Sequence, residues 1–458
     1  MNIWQGKHIL VIGAARQGQA VSRYLAAQGA FVTLNDGKPK EEIQLHGELL
    51  NSNKVEKVFN GHPLRLLDNT DVVCISGGVP LTLPLISAAA QRGIPLTNDS
   101  QIFMHAVNAT TIGITGSAGK TTTTTLVGSV AKLNETENIK AWVGGNIGNP
   151  LIESVSEIRS EDFVILELSS FQLELMDVSP NIACVLNITP NHLDRHGNMQ
   201  SYISAKTRII AYQNSQDTVV LNRDDSGSMG LRPKAKGTLW TFGFNQIKDD
   251  QSVFVSKNSI FAQFNNQVQE IMPLSILKLI GQHNVANAMA TCAICLAAGF
   301  SKYSISKGIG QISGVSHRLE LVREINGVRW INDSIATAPE RTMAALRAIP
   351  ESVVLLLGGR DKNLPWAKLA AELHERKIKV IAFGEAADLI QDAIEKIEGG
   401  KPEYPFVKAG KMLEALDIAA KIAIRGDTVL LSPGGTSFDE FKDFEERGEV
   451  FRDKVNTL

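Results

Sequence analysis

A strand-like run, Thr110–Thr115, leads into Gly116-Ser-Ala-Gly-Lys-Thr-Thr122 and then into a helical pattern that continues to about Leu133. This is the composition of a phosphate cradle. Glycines let backbone N–H groups converge on phosphate oxygens, Lys120 brings a point charge to the outer phosphates, and the Thr121 hydroxyl is suited to ligate Mg²⁺. The N-terminus of the following helix adds its dipole at the same end. The residues expected to hold the phosphates are therefore Gly116, Ser117, Ala118, Gly119, Lys120, Thr121 and Thr122. The loop is more compact than G-x-x-x-x-G-K-[ST], whose first glycine would fall on Ile114, flanked here by Gly113 and Gly116. A glycine turn ahead of an exposed helix is the simpler alternative; the coincidence of strand, loop, lysine and hydroxyls argues against it.

Other residues with chemistry to offer follow at intervals. They are Gly144-Gly-Asn-Ile-Gly148, Glu167-Leu-Ser-Ser-Phe-Gln-Leu-Glu174, Asn187-Ile-Thr-Pro-Asn-His-Leu-Asp-Arg195 and Tyr202-Ile-Ser-Ala-Lys206. Beyond them stand Gly281-Gln-His-Asn-Val-Ala-Asn287, His317-Arg318-Leu-Glu320, Asn332-Asp-Ser-Ile-Ala-Thr337 and Gly358-Gly-Arg-Asp-Lys362. The last are Leu431-Ser-Pro-Gly-Gly-Thr-Ser-Phe-Asp439 and Phe444-Glu-Glu-Arg-Gly448.

In order and spacing these motifs resemble the Mur ligases over almost the whole chain, and the compact phosphate loop is the variant shared by Mur ligases and folylpolyglutamate synthases. The E-L-S-S-F-Q-L-E stretch and the C-terminal ending are similar to the branch that adds D-glutamate to UDP-N-acetylmuramoyl-L-alanine during peptidoglycan precursor synthesis. The resemblance implies that ATP phosphorylates a carboxylate to an acyl phosphate, which an amine then attacks. The first step joins two anions, so cations must gather there. Lys120, His192 and Lys206 are the implied catalytic residues. Thr121 and Glu167 are the implied ligands of one Mg²⁺, and His192 that of a second. Lys206 is implied to carry a CO₂-derived carbamate, which turns a cation that two metal ions would repel into an anion. Asn284 and Asn287, at i and i+3 of a helix start, are implied adenine contacts, and Arg318 and Asp333 are contacts from the third domain to the nucleotide. Asn146 falls where the muramoyl substrate is held. Thr337, Lys362, Ser437, Phe438 and Phe444 fall where the incoming D-glutamate is held. One departure is Ile335, because many D-glutamate-adding members carry a lysine at that place in N-D-S-K-A-T.

These residues need a scaffold. Three times an apolar run leads into a glycine-rich turn and a helical pattern: His8–Ile12 with a helix to about Gln28, Thr110–Thr115, and Ser352–Leu357 with a helix from about Trp366 to Arg376. Alternating strands and helices predict an α/β chain with mostly parallel sheets. A length of 458 residues suggests three domains. We expect a Rossmann-like UDP-binding domain over 1–100, a central P-loop ATPase domain with a parallel sheet over 101–314, and a Rossmann-like amino-acid-binding domain over 315–458. Boundaries are expected near Asn98–Asn108 and Gly310–Ser316. The segment Thr238–Ser275 reads as an antiparallel patch within the middle domain, followed by a helix from about Asn284 to Ala298.

In the first domain Gly13-Ala-Ala-Arg-Gln-Gly18 lacks the middle glycine of G-x-G-x-x-G, since Arg16 occupies it. That argues against close approach to a dinucleotide pyrophosphate and favours a UDP-sugar. Ala15, Arg16 and Gln17 would supply donors, Asp36 and Lys38 would sit near the uridine, and Gly77 belongs to a second loop, Ser76-Gly-Gly-Val-Pro80.

The formal net charge of −2 gives no reason to expect nucleic acid or an anionic membrane as partner. No signal-peptide pattern opens the chain, and no apolar run approaches the ~20 residues that span a bilayer. The four cysteines lie in apolar runs, Cys292 and Cys295 within one helix, and are read as core residues in a reducing cytoplasm. A monomer is expected. The histidines outside the motifs, His196 among them, read as ordinary, and the charged stretch Lys442–Lys454 reads as a solvated helix face. Other readings are less well supported. Folylpolyglutamate synthase lacks a domain ahead of the phosphate loop, whereas 114 residues precede Thr115 here. A diamino-acid-adding ligase needs a D-N-P-R-like motif that is missing. A non-catalytic nucleotide switch does not need Glu167, His192, Lys206 and Lys362 together.

Overall fold

The computed structural model describes all residues except 1, 48–53, 149, 248–250, 280, 313, 315, 350, 363, 398–401 and 403. Its strands form three sheets of five, nine and six strands, each largely parallel and flanked by helices. This is the α/β architecture that the alternation of apolar runs and helical patterns predicts. The chain divides into two compact units, residues 1–276 with 286–311, and residues 277–285 with 312–458. Ser313 and Val315, in the expected boundary near 310–316, lie outside the described residues. The other expected boundary holds a helix, Asp99–Ala106.

The first sheet is ordered Val55–Val58, Phe31–Asn35, His8–Ile12, Val72–Ile75, Leu96–Thr97, all parallel. Its strand order reverses beside His8–Ile12, so the loops after that strand and after Val72–Ile75 open onto one crevice. Successive residues of the central strand face opposite sides. Ile9 and Val11 enter one apolar cluster, and Leu10 and Ile12 the other.

The nine-stranded sheet places Thr110–Thr115 between Phe163–Glu167 and Ile182–Val185, all three parallel. Ile114 pairs in register with Glu167 and Thr115 with Val185, so three motif-bearing loops leave adjacent strands at the same level. The expected antiparallel patch is shorter than predicted. Thr238–Phe242 pairs in parallel with Thr218–Asn222 and with Ser252–Ser256, and only the last three strands, from Ser252 to Pro273, are antiparallel. Local turn signals do not reveal that Thr238–Phe242 extends the parallel sheet, because its partners lie elsewhere in the chain.

In the six-stranded sheet the order is Glu320–Ile325, Val328–Asn332, Thr428–Gly434, Val353–Gly358, Lys379–Phe383, Phe406–Lys408, with only the first pair antiparallel. Val353–Gly358 is buried at every residue, as a strand covered on both faces must be. Val353, Leu355 and Leu357 serve one core cluster; Val354 and Leu356 serve the other. All four cysteines are buried and unbridged.

The C-terminal helix Phe444–Asn456 is not simply a solvated face. It buries Arg447, Gly448, Phe451 and Val455. The Arg447 guanidinium donates to Ser334 Oγ at 2.9 Å, to the Ser334 carbonyl at 2.9 Å and to the Gly435 carbonyl at 3.2 Å. A charge sequestered from water must be paid for by such bonds. Arg447→Leu would leave the two carbonyls without that donor. We expect it to cost about 3 kcal/mol of stability, read as a lowered Tm of the full chain; an unchanged Tm would show that the buried cation contributes nothing.

Candidate functional site

The helix Lys120–Lys132 begins at Gly119, whose φ of 84° is left-handed. A Cβ there would also collide with Asn287 Oδ1, so glycine is required twice over. The loop ahead of it is held from the Asn187–Thr189 segment. Ser117 N–H donates to the Asn187 carbonyl at 3.0 Å, Ala118 N–H to Asn187 Oδ1 at 2.8 Å, and Ser117 Oγ to the Thr189 carbonyl at 2.9 Å. The Tyr202 hydroxyl also bonds Ser117 Oγ, at 2.9 Å. Two of the N–H groups expected to face phosphate are thus engaged by Asn187. Asn187 and Tyr202 are site residues that the sequence expectations do not include. Position is their signal: Asn187 opens the motif that holds His192, and Tyr202 the one that holds Lys206.

Glu167 is 2% exposed and ends its strand beneath the loop. Its Oε2 accepts from Thr121 Oγ1 at 2.8 Å, and its Oε1 from Asn146 Nδ2 at 2.9 Å. Gly145, with φ 98°, lets the backbone turn so that Asn146 N–H also reaches the Glu167 carbonyl, at 2.8 Å. Thr121, Glu167 and Asn146 are therefore one hydrogen-bonded group. Lys206 lies near the same loop, 1% exposed, with Nζ 3.3 Å from Thr115 Oγ1 and 4.8 Å from the centre of the Tyr202 ring. Burial, and then the like charge of Lys120, hold its pKa well below the usual lysine range. Lys120 Nζ itself donates to the Gly116 carbonyl at 2.9 Å.

His192 has a left-handed backbone, φ 53°, and caps the short helix Leu193–His196. Its ring meets Phe171 edge-on at 5.2 Å. His196, read as ordinary, is buried, stacked on Phe171 at 5.1 Å and bonded to Ser170 Oγ at 2.9 Å. Among the described residues no three His, Cys, Asp or Glu side chains form a metal cage. The hydroxyl–carboxylate pair Thr121–Glu167 does fit Mg²⁺, a hard ion that takes one or two protein oxygens and completes its shell with phosphates and water.

At the crevice of the first sheet lies a cavity of about 230 Å³ lined by Gly13, Asp36, Gly37, Lys38, His62, Gly78, Val79, Pro80 and Leu83. Asp36 accepts from Ala14 N–H at 2.7 Å and from Lys38 N–H at 3.0 Å, so it shapes both loops. Of the sequence-predicted UDP contacts, Asp36 and Lys38 line this cavity. Ala15 and Arg16 start the helix Arg16–Ala27 and are exposed. Gln17 donates to the Gly145 carbonyl at 2.9 Å, which places it with Asn146 near Glu167 instead. In the second loop Gly78, not Gly77, lines the wall. Arg195 grips this loop, donating to the carbonyls of Val79 at 2.5 Å and Gly78 at 3.4 Å, while its guanidinium stacks on Phe171 at 3.9 Å.

In the six-stranded sheet, Asp333, Lys362 and Ser437 follow the C-terminal ends of three neighbouring strands, and Thr337 lies in the turn before the helix Pro339–Ala348. Asp333 is 5% exposed and accepts from Ser432 Oγ at 2.7 Å and Leu319 N–H at 3.2 Å. Burial pushes its pKa up to about 7, against the pull of those bonds and of Arg318 and Arg341. Ser437 is buried and Phe438 is 60% exposed. Phe444 packs edge-on against His317 at 6.2 Å. Asn284 groups with this unit and Asn287 with the other; both are buried.

The Asp333 carboxyl binds its proton more tightly folded than unfolded. Its contribution to stability is therefore full below the unfolded value of 3.8 and is lost as pH rises through about 7. Thermal melts of wild type and Asp333→Asn between pH 4 and 7.5 should diverge, the variant gaining relative stability as pH rises; parallel profiles would contradict this.

Residues 7–98 match the family described as Mur ligase MurD-like, N-terminal domain; residues 114–295 match the Mur ligase middle domain; and residues 317–435 match Mur ligase, glutamate ligase domain. A relative from Symbiobacterium thermophilum, named UDP-N-acetylmuramoylalanine--D-glutamate ligase, is 38% identical over 98% of this chain and 97% of its own. One of the same name from Pelotomaculum thermopropionicum is 39% identical over 99% and 98%. Among solved structures, MurF ligase from Thermotoga maritima in complex with ADP shares the fold with a TM-score of 0.56 at 17% identity, covering 99% of this chain and 96% of its own. With matching domains along its length and full-length relatives above a third identity, the chain belongs to the Mur ligase family.

Proposed function

We propose that this protein joins D-glutamate to UDP-N-acetylmuramoyl-L-alanine with cleavage of ATP to ADP and phosphate, in the cytoplasm, as a monomer supplying peptidoglycan precursors. The observation that carries the reading is the group Thr121–Glu167–Asn146 at the phosphate loop, with Lys206 buried close by. The names of the full-length relatives support the choice of substrates.

In this reading residues 1–100 hold the UDP moiety through the cavity at Asp36 and Lys38, with Ala15, Arg16, Gln17, Gly77 and Asn146 toward the rest of the substrate. Residues 101–314 hold ATP through the loop Gly116–Thr122 and Asn284 and Asn287. Residues 315–458 supply Arg318 and Asp333 to the nucleotide, and Thr337, Lys362, Ser437, Phe438 and Phe444 to the amino acid. The substrate carboxylate oxygen bonds to the γ-phosphorus and the bond to ADP breaks. The amine nitrogen then bonds to the acyl carbon, inorganic phosphate leaves, and the amine gives up a proton. Lys120 neutralises the outer phosphates.

Thr121 and Glu167 would hold one Mg²⁺, and His192 with Lys206 a second; the ions would screen charge between the two anions that must meet. The free amine of Lys206 is favoured by its burial, and it can add to CO₂, forming an N–C bond and releasing a proton. The resulting carbamate replaces like-charge repulsion with Lys120 by attraction.

The test is ADP release by the purified chain with ATP, Mg²⁺ and UDP-N-acetylmuramoyl-L-alanine. D-glutamate is compared with L-glutamate, meso-diaminopimelate, L-lysine and no amine. Turnover with D-glutamate alone is expected; turnover with another amine overturns the substrate, and none with any returns the nucleotide switch. Glu167→Gln, which keeps the shape but removes the charge, should lower kcat by at least about 100-fold. Lys206→Ala that kept full activity in bicarbonate-free buffer would end the carbamate assignment.

A further inference from the structure

Several cations of the C-terminal unit are compensated. Arg347 pairs with Glu372 at 2.9 Å, Arg360 with Glu385 at 2.8 Å, and Arg452 with Glu320 at 2.9 Å. Arg376 is tied to the carbonyls of Leu346 and Ile349 at 2.6 and 2.8 Å, and Arg447 to those of Ser334 and Gly435. Arg318, Arg341 and Lys362 form a group of neighbouring cations. Among the described residues none of them makes an ion pair; desolvation, and then the like charge of Arg318, disfavours the charge on Arg341 against the pull of Asp333, and desolvation, and then Arg341, disfavours that on Lys362.

Their placement is specific. Arg341 stands in the first turn of Pro339–Ala348, the helix that follows Val328–Asn332; Lys362 follows the strand Val353–Gly358; and Thr428–Gly434 lies between those strands. This is the edge of a parallel sheet at which ligands bind. Thr342 Oγ1, one residue on, donates to the Ser432 carbonyl at 3.1 Å and fixes the helix to the middle strand. Arg341 reaches back to the Ile335 carbonyl at 3.3 Å, and its side chain remains open to solvent. A cation in a helix's first turn opposes the dipole, and two neighbouring cations add repulsion. Asp333, the acid whose charge favours that of Arg341, is already bonded to Ser432 and Leu319. Such an arrangement is unfavourable until an anion arrives.

We propose that Arg341 binds a carboxylate of the incoming amino acid beside Lys362, supplying a cation next to Ile335, where the resemblance leads one to expect a lysine. The assignment rests on the ligase reading and gives it a specificity-determining residue. A planar guanidinium suits a carboxylate through two parallel hydrogen bonds, which a point charge cannot match. It would favour amino acids with a second carboxylate over neutral or basic ones.

The experiment is steady-state ADP release by the full chain and by R341A, varying each substrate in turn. KM for D-glutamate should rise at least about 30-fold in R341A, with kcat and KM for ATP within about threefold. R341K should recover part of the loss, and Ile335→Lys placed in R341A should recover more. An unchanged KM for D-glutamate, or a rise confined to KM for ATP, overturns the assignment. If wild type uses another amine, the ligase substrate is wrong but the same KM comparison with that amine still decides Arg341. If no amine is used, thermal melting with sodium sulfate decides it: stabilisation of wild type that R341A loses supports the anion site, and equal stabilisation overturns it.

Discussion

A carboxylate buried at the end of a parallel strand must be compensated, and Glu167 organises the centre of this protein through that requirement. Its two oxygens are taken by Thr121 from the phosphate loop and Asn146 from the neighbouring strand's end. Register explains why these groups can meet: Ile114 and Gly145 both pair with Glu167, so the three loops emerge level with one another. The loop is further held by Asn187, and Tyr202 links Ser117 to the segment that buries Lys206. The phosphate cradle is thus braced from three sides by side chains that are themselves candidates for chemistry.

The same device recurs in the other two sheets with different contents. In the first, the crevice where strand order reverses carries a cavity shaped by Asp36. In the third, adjacent strand ends carry Asp333, Lys362 and Ser437. Parallel strands aim their C-terminal ends the same way, and loops there are free of the packing that fixes the strands. Compensation distinguishes the sheets. The acids at all three are satisfied by backbone N–H groups or neutral side chains, and the third also gathers Arg318, Arg341 and Lys362, which make no ion pair among the described residues.

Local chemistry made much of this legible in the sequence. Glycines, a lysine and threonines in succession have few uses other than phosphate, and apolar runs of five or six residues before glycine turns announce parallel strands. What could not be read depends on partners distant in the chain. Arg447 looks like part of a charged surface helix until Ser334, more than a hundred residues earlier, is brought against it. His196 is ordinary in sequence and a packed element of the Phe171–Tyr202 cluster in space. Thr238–Phe242 carries turn signals at both ends, yet its pairing with Thr218–Asn222 makes it parallel. The grouping of Arg341 with Lys362 depends on strand order, since Thr428–Gly434 brings together two segments that are separate in sequence.

Arg195 joins the loop at Gly78 and Val79 to Phe171, Gln17 joins the helix Arg16–Ala27 to Gly145, and Arg23 pairs with Glu153. These three ties set the span between the cavity at Asp36 and the carboxylate of Glu167. A molecule anchored by one end in that cavity therefore presents its far end at a fixed reach. On the proposed function, the first and second sheets together would work as a ruler, favouring a substrate whose length spans from the Asp36 cavity to Glu167.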